Sequence, residues 1–141
     1  MELPWTVVAK DDGEAVIMAS RFRLQHVRRS PAFLLDALRV RRQALRARGA
    51  LGVSLRAHPL RGEFWTLSAW TDRAALAAYA RADPHAAVRE RAAAWTRDAE
   101  FVFWTVPAES LPGPRAAASL WEDAERRVLD RVEHGAPFPR D

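Results

Sequence analysis

The spacing of hydrophobic and polar positions changes period several times along the chain, and each change marks an element. Glu14 to Leu24 (EAVIMASRFRL) is apolar and β-branched with partial alternation, and a turn signal, Asp11-Asp12-Gly13, precedes it. It reads as a first strand. Ser30-Pro31 opens a helix with Ser30 as N-cap and Pro31 in the first helical position, running to about Arg48 and stopping at Gly49. Leu51 to Ala57 is a second strand, with Leu51, Val53 and Leu55 on one face, and His58 to Gly62 is its hairpin connection. Glu63 to Trp70 (EFWTLSAW) is a third strand with no strongly polar face, as expected of a sheet covered on both sides.

Asp72 caps a second helical region, Arg73 to Trp95, which Asp83-Pro84 interrupts because proline disfavours helical geometry in the residue before it. Asp83 is then placed to cap a second piece, with Pro84 at its first position. Ala99 to Val106 is a fourth strand, followed by a loop holding Pro107, Pro112, Gly113 and Pro114. A last helix has capping-box spacing at Ser119-x-x-Glu122 and a stripe of Trp121, Ala124, Val128 and Val132, and Gly135 closes it. The order is β-α-β-β-α-β plus a C-terminal helix, an α+β, ferredoxin-like plan with an antiparallel sheet. It predicts a core domain over 1–110 and a helical extension over 111–141 packed on it. The face left bare by the two helical regions needs a cover: a second copy of the chain, giving a homodimer, or the C-terminal helix.

Composition narrows the function. With 141 residues, 49% of them apolar, one core can be filled without staples. The absence of cysteine excludes disulfides, thiolate chemistry and thiolate zinc sites, and fits a reducing cytoplasm. No window approaches about 18 uncharged apolar residues, so no membrane span is expected, and the start Met1-Glu2-Leu3-Pro4-Trp5 does not read as a signal peptide. The pI of about 10.8 overstates the charge: 22 basic residues meet 18 acidic ones for a net +4. The arginines are dispersed apart from a denser run at Arg39 to Arg48, and no nucleic-acid motif accompanies them, which speaks against a nucleic-acid partner.

Four features break the pattern. On a wheel at 100° per residue, Phe33, Leu34, Ala37, Leu38, Val40, Ala44 and Leu45 form one arc with Arg41 near its middle, whereas Arg39, Arg42 and Arg46 form a solvated face. A buried guanidinium needs a partner, so Arg41 either snorkels, pairs with a sheet carboxylate such as Glu63 or Glu100, or clamps an anion or carbonyl in a pocket. His85 begins the second helical piece with Arg89 one turn on; it is a cap or packing group, or else an acid/base or metal ligand. No second ligand stands at short spacing, so no metal site is assigned. Tyr79 either fills the core or donates its hydroxyl into the same space. Finally, Phe64, Trp65, Trp70, Trp95, Phe101, Phe103 and Trp104 supply core, or walls for a flat ligand.

The segment FWTLSAWTDRAALAAYARADPHAAV resembles the antibiotic biosynthesis monooxygenase superfamily: a strand ending in Trp, an acidic helix start, and a His in the helix's second half. PAFLLDALRVRRQALRARG and SLRAHPLRGEFWTLSAW are similar to small uncharacterised bacterial members, and the resemblance covers residues 14 to 106. It implies ferredoxin-like subunits whose sheets pair into a dimeric α/β-barrel. It further implies a cofactor-independent monooxygenase acting on an aromatic or polyketide-like molecule, which reacts with oxygen as a stabilised carbanion or phenolate. Arg41, Tyr79, His85 and Arg89 are then the catalytic candidates, and Trp65, Trp70, Leu38 and Trp104 the substrate walls. A haem-degrading branch places Trp where Tyr79 stands here and an iron-ligating His near Val88 and Arg89, so His85 comes a turn early. Haem binding and plain small-molecule binding are the alternatives.

Overall fold

The computed structural model describes residues 1–113 and 117–134 of the chain. Within them the order is β1 (Glu2–Val7), β2 (Glu14–Leu24), α1 (Ser30–Leu45), β3 (Ala50–His58), β4 (Glu63–Trp70), α2 (Arg73–Arg81), α3 (His85–Trp95), β5 (Thr96–Pro107) and α4 (Ala118–Glu133). Pro114 of the loop and Gly135, expected to close the last helix, lie outside the described residues. The strands make one antiparallel sheet in the order β1-β3-β4-β2-β5. The β-α-β-β-α-β unit is present, with its second helical region divided into α2 and α3 at a cis Asp83–Pro84 bond.

Strand β1 was not foreseen. Pro4 and Glu2 weaken its strand signal, yet proline is tolerated on an edge strand, and β1 pairs on one side only, with β3. Its Trp5 lies across Gly52, where a Cβ would come within 2.1 Å of the indole. Only glycine permits that approach.

Both faces of the sheet are covered, by different parts of the chain. Alternation sends Phe22, Phe64, Val53, Ala57 and Trp70 toward α1, α2 and α3. The other row, including Ile17, Ala19, Leu67, Ala69 and Trp104, meets Leu120, Trp121, Ala124 and Val128 of α4. The face that the sequence leaves to a second copy or to the C-terminal helix is thus covered by α4. Arg56 pairs with Glu125, and Arg131 with Glu100, fastening α4 at its middle and in its last turn.

Several local expectations shift. Leu51 does not share a face with Val53, because a register shift between Ala50 and Gly52 turns it toward α4. Ser30 is the first helical residue rather than the cap, and its hydroxyl donates to the Pro59 carbonyl at 2.6 Å. Asp72 does cap α2, accepting from the Ala75 amide at 2.8 Å, whereas Asp83 caps nothing and α4 starts without a side-chain cap at Ser119. Gly49 adopts φ +84, as the helix stop requires, although α1 ends earlier, at Leu45. Val132 is exposed, so the buried stripe of α4 is Leu120, Trp121, Ala124 and Val128.

Candidate functional site

Helix α1 is rotated from the expected arc by roughly 40° on the 100°-per-residue wheel. Its buried residues are Ser30, Phe33, Asp36, Ala37 and Ala44, so Asp36 turns inward and Leu38 outward. Tertiary contacts override the apolar stripe here because Asp36 finds a partner: Arg91 of α3 donates to it twice, Nε to Oδ2 at 2.8 Å and Nη2 to Oδ1 at 2.9 Å. Arg39 adds a longer contact at 3.3 Å. The carboxylate is almost fully buried while Arg91 is partly exposed, so the pair locks α1 to α3 rather than storing an isolated charge. Asp36→Ala is expected to lower stability by about 1–3 kcal/mol, the cost of unpairing a buried polar group. Urea unfolding checks this, and an unchanged midpoint refutes the locking role.

Between α1, α2, α3 and the sheet lies a cavity of about 1000 Å³, which exposed Phe101 and Phe103 of β5 line and which reaches Arg127, Asp130 and Arg131 of α4. Its floor is aromatic at one end, where Phe22, Phe33 and Phe64 stack with centroids 4.8–5.5 Å apart. Across the middle runs a polar band in register, Ser20 opposite Thr66 with their hydroxyls bonded and Met18 opposite Ser68. Arg41, Tyr79, His85 and Arg89 all line this cavity.

Their roles differ from one another. Tyr79 is buried, its hydroxyl donates to the Val40 carbonyl at 3.0 Å, and burial pushes its phenol well above the ordinary range. With its proton so held it is a positioning residue, its ring centroid 4.8 Å from those of both Trp70 and His85. Arg41 donates through Nη2 to Thr6 Oγ1 at 3.0 Å, while its buried Nε has no partner. It pairs with neither Glu63, which accepts from Trp65 Nε1, nor Glu100, which holds Arg131. Arg89 is exposed and makes no hydrogen bond or ion pair among the described residues.

His85 is held at both ends. Its backbone amide donates to Gln43 Oε1 at 2.8 Å, and its Nδ1 lies 3.1 Å from the Ala80 carbonyl, which can only accept. Nδ1 therefore carries the proton in the neutral ring, and Nε2 keeps a lone pair. Burial holds the imidazole below its ordinary value of 6.5; the Ala80 bond opposes that shift and the Arg89 charge adds to it.

The proposed walls are mostly elsewhere. Trp65 and Trp104 belong to the opposite face, packed in the α4 cluster, with Arg127 stacked on Trp104 at 4.6 Å. Trp65 stands five residues from Trp70, and an odd separation on a strand reverses the face. Trp70 is on the cavity side but buried beneath Tyr79, its Nε1 donating to Ser68 Oγ at 2.8 Å. Leu38 is on the outer side of α1. Sequence reasoning missed Asp36 and the band of Ser20, Thr66 and Ser68; the row Val16-x-Met18-x-Ser20-x-Phe22 carried the signal, a hydroxyl in an apolar alternation. Among the described residues no three His, Asp or Glu side chains converge on a metal position, and no helix is long and apolar enough to cross a membrane.

Comparison with known proteins adds a family and a fold. A model described as a domain of unknown function (DUF3291) matches residues 29–136. No curated protein matches the sequence. Solved structures that the chain resembles include SnoaB, a cofactor-independent oxygenase from Streptomyces nogalater, at TM-score 0.57 and 17% identity over 72% of this chain and 100% of that one. An antibiotic biosynthesis monooxygenase aligns at 0.57 and 17%, covering 69% and 99%. A protein of unknown function from Nitrosomonas europaea, NE2512, aligns at 0.59 and 16%, covering 73% and 99%. At such identities the likeness is one of fold, and function has to be argued from the site.

Proposed function

Because the chain belongs to the DUF3291 family, whose function is unknown, and has the fold of antibiotic biosynthesis monooxygenases, we propose that it is a cofactor-independent monooxygenase-like enzyme for an aromatic or polyketide-like small molecule. The observation that carries this reading is His85: a neutral imidazole whose Nδ1 is tied to Ala80, leaving an Nε2 base in a mostly apolar cavity. Nε2 takes a proton from an activated CH2 of the substrate. The resulting carbanion gives its electrons to O2, and the net change is CH2 to C=O with one O2 consumed and one water released. No outside reductant is needed. Arg41, half-buried, and Arg89, at the exposed side, face the negative charge that builds on the substrate, and Arg41 acts where less water screens it.

The test is oxygen uptake with a panel of polycyclic phenols and ketones bearing an acidic CH2. Stoichiometric uptake lost in His85→Ala supports the reading; a compound that binds and stays unchanged under oxygen points to a plain binding protein instead. Haem is the competing occupant, favoured by the same Nε2, with Arg41 and Arg89 available to its carboxylates. A Soret shift on haem titration that disappears in His85→Ala would replace the cofactor-free reading.

A homodimer belongs to the same proposal. With α4 seated on the sheet, the surface that suits it is the free edge of β5, where Phe101 and Phe103 are exposed, rather than the opposite edge at β1. Light scattering that finds only monomer removes it.

A further inference from the structure

On its outer side, α1 faces α2 across a groove of about 570 Å³ that is separate from the cavity. Arg39, Arg42, Arg46 and Arg48 line it, and the one carboxylate among the lining residues is Asp83. Arg39 is paired with Asp36; the side chains of Arg42, Arg46 and Arg48 make no hydrogen bond or ion pair among the described residues. The facing wall includes the small apolar Ala75 and Ala78, and Asp83 is the one carboxylate that competes for the guanidinium groups in the lining.

The concavity in which these exposed side chains meet sets them apart from an ordinary solvated face. Arg42 and Arg46 are one turn apart, a like-charge spacing that costs helix stability, and no carboxylate at i±3 or i±4 relieves them. Arg42 lies in the last turn of α1 and Arg46 is its C-cap, so the negative end of the helix favours both cations there, while Arg39 stands a turn earlier. Concentrating cations in a concavity raises the local positive potential and favours a small anion. From Arg39 to Arg46 the helix rises about 10 Å at 1.5 Å per residue, so one phosphate cannot meet both ends. We infer that the groove between α1 and α2 binds a compact polyphosphate, such as the phosphate chain of a nucleotide or an inorganic oligophosphate, through Arg39, Arg42, Arg46 and Arg48.

The groove also touches the catalytic turn. Gln43 lines it, and the same side chain accepts from the His85 amide at 2.8 Å and donates to the Tyr79 carbonyl at 3.0 Å. An anion settling against Gln43 therefore reaches the His85 amide through one hydrogen bond, and that amide reports on occupancy. Binding itself does not depend on the oxygenase reading.

The experiment is calorimetric titration of the full chain with tripolyphosphate, at low and at physiological salt, with sulfate at matched ionic strength as control. The expected result is one-to-one binding well above sulfate. It is weakened roughly tenfold or more in Arg42→Gln/Arg46→Gln, since guanidinium contacts to phosphate are strong charge-assisted bonds, and unchanged in the cavity variant Arg89→Gln. The His85 amide resonance moves on saturation. An unaltered unfolding midpoint shows that the double variant is folded. No binding, equal affinity for sulfate, or affinity untouched by the double substitution overturns the inference. So does tighter binding of an oligonucleotide lost in the same variant, which would make this face a nucleic-acid surface; a nucleoside triphosphate competing with tripolyphosphate indicates the nucleotide source.

Discussion

Trp121→Ala lowers the unfolding free energy by about 3–5 kcal/mol, the usual cost of removing a fully buried large aromatic. The indole is 1% exposed and sits where α4 meets the sheet. Its Nε1 donates to Ser54 Oγ at 3.1 Å, and the Arg56 guanidinium stacks on its ring at 4.5 Å. Truncation leaves a void against residues that are themselves closed off, such as Ile17, Leu67 and Ala69. Domain stability is about 5–15 kcal/mol in total, so the variant is marginal. Its expected phenotype includes self-association through the sheet face that a loosened α4 uncovers. Trp121→Phe keeps most of the apolar area and is expected to lose about 1 kcal/mol, largely the hydrogen bond. Chemical denaturation with light scattering reads both. If Trp121→Ala unfolds within about 1 kcal/mol of the parent, α4 is not what closes this face.

On the proposed oxygenase reading, His85→Ala is expected to cut kcat by about 10²–10⁴, the range for removing a general base, while ligand binding falls far less. The pH dependence gives a second signature. The folded imidazole resists protonation, so the acid limb of kcat/KM falls below the ordinary value of 6.5. Stability follows the same group with a defined sign. Above 6.5 His85 is neutral in both states and contributes nothing to the slope. As pH drops through 6.5 toward the depressed folded value, the unfolded chain takes up the proton first, and the native state is progressively destabilised. His85→Gln should flatten that part of the stability profile. A profile identical to the parent's, or an acid limb above 6.5, contradicts a buried neutral base at this position.

Much of this architecture is legible one element at a time. The bounds of β2 and β4, the break at Asp83-Pro84 and the cap at Asp72 follow from local alternation, proline sterics and a side chain bonding its own backbone. Arg41, Tyr79, His85 and Arg89 also emerge, because each is a polar group in an apolar pattern. Function within that group is another matter. Tyr79 and His85 differ by one carbonyl each, Val40 against Ala80, and neither contact has a signature in the chain.

What the sequence by itself determined is the list of elements, the edge strand β1 excepted, since helix and strand periods are set by neighbours a few residues apart. What only the tertiary structure decided is which face each element turns to which partner. The sheet has two apolar faces, so alternation cannot say whether Trp65 or Trp70 looks into the cavity. A register shift of one residue sends Leu51 to α4 rather than to α1. The buried Asp36 becomes affordable only when Arg91 arrives from an element 55 residues away, a long-range pairing that no local pattern encodes.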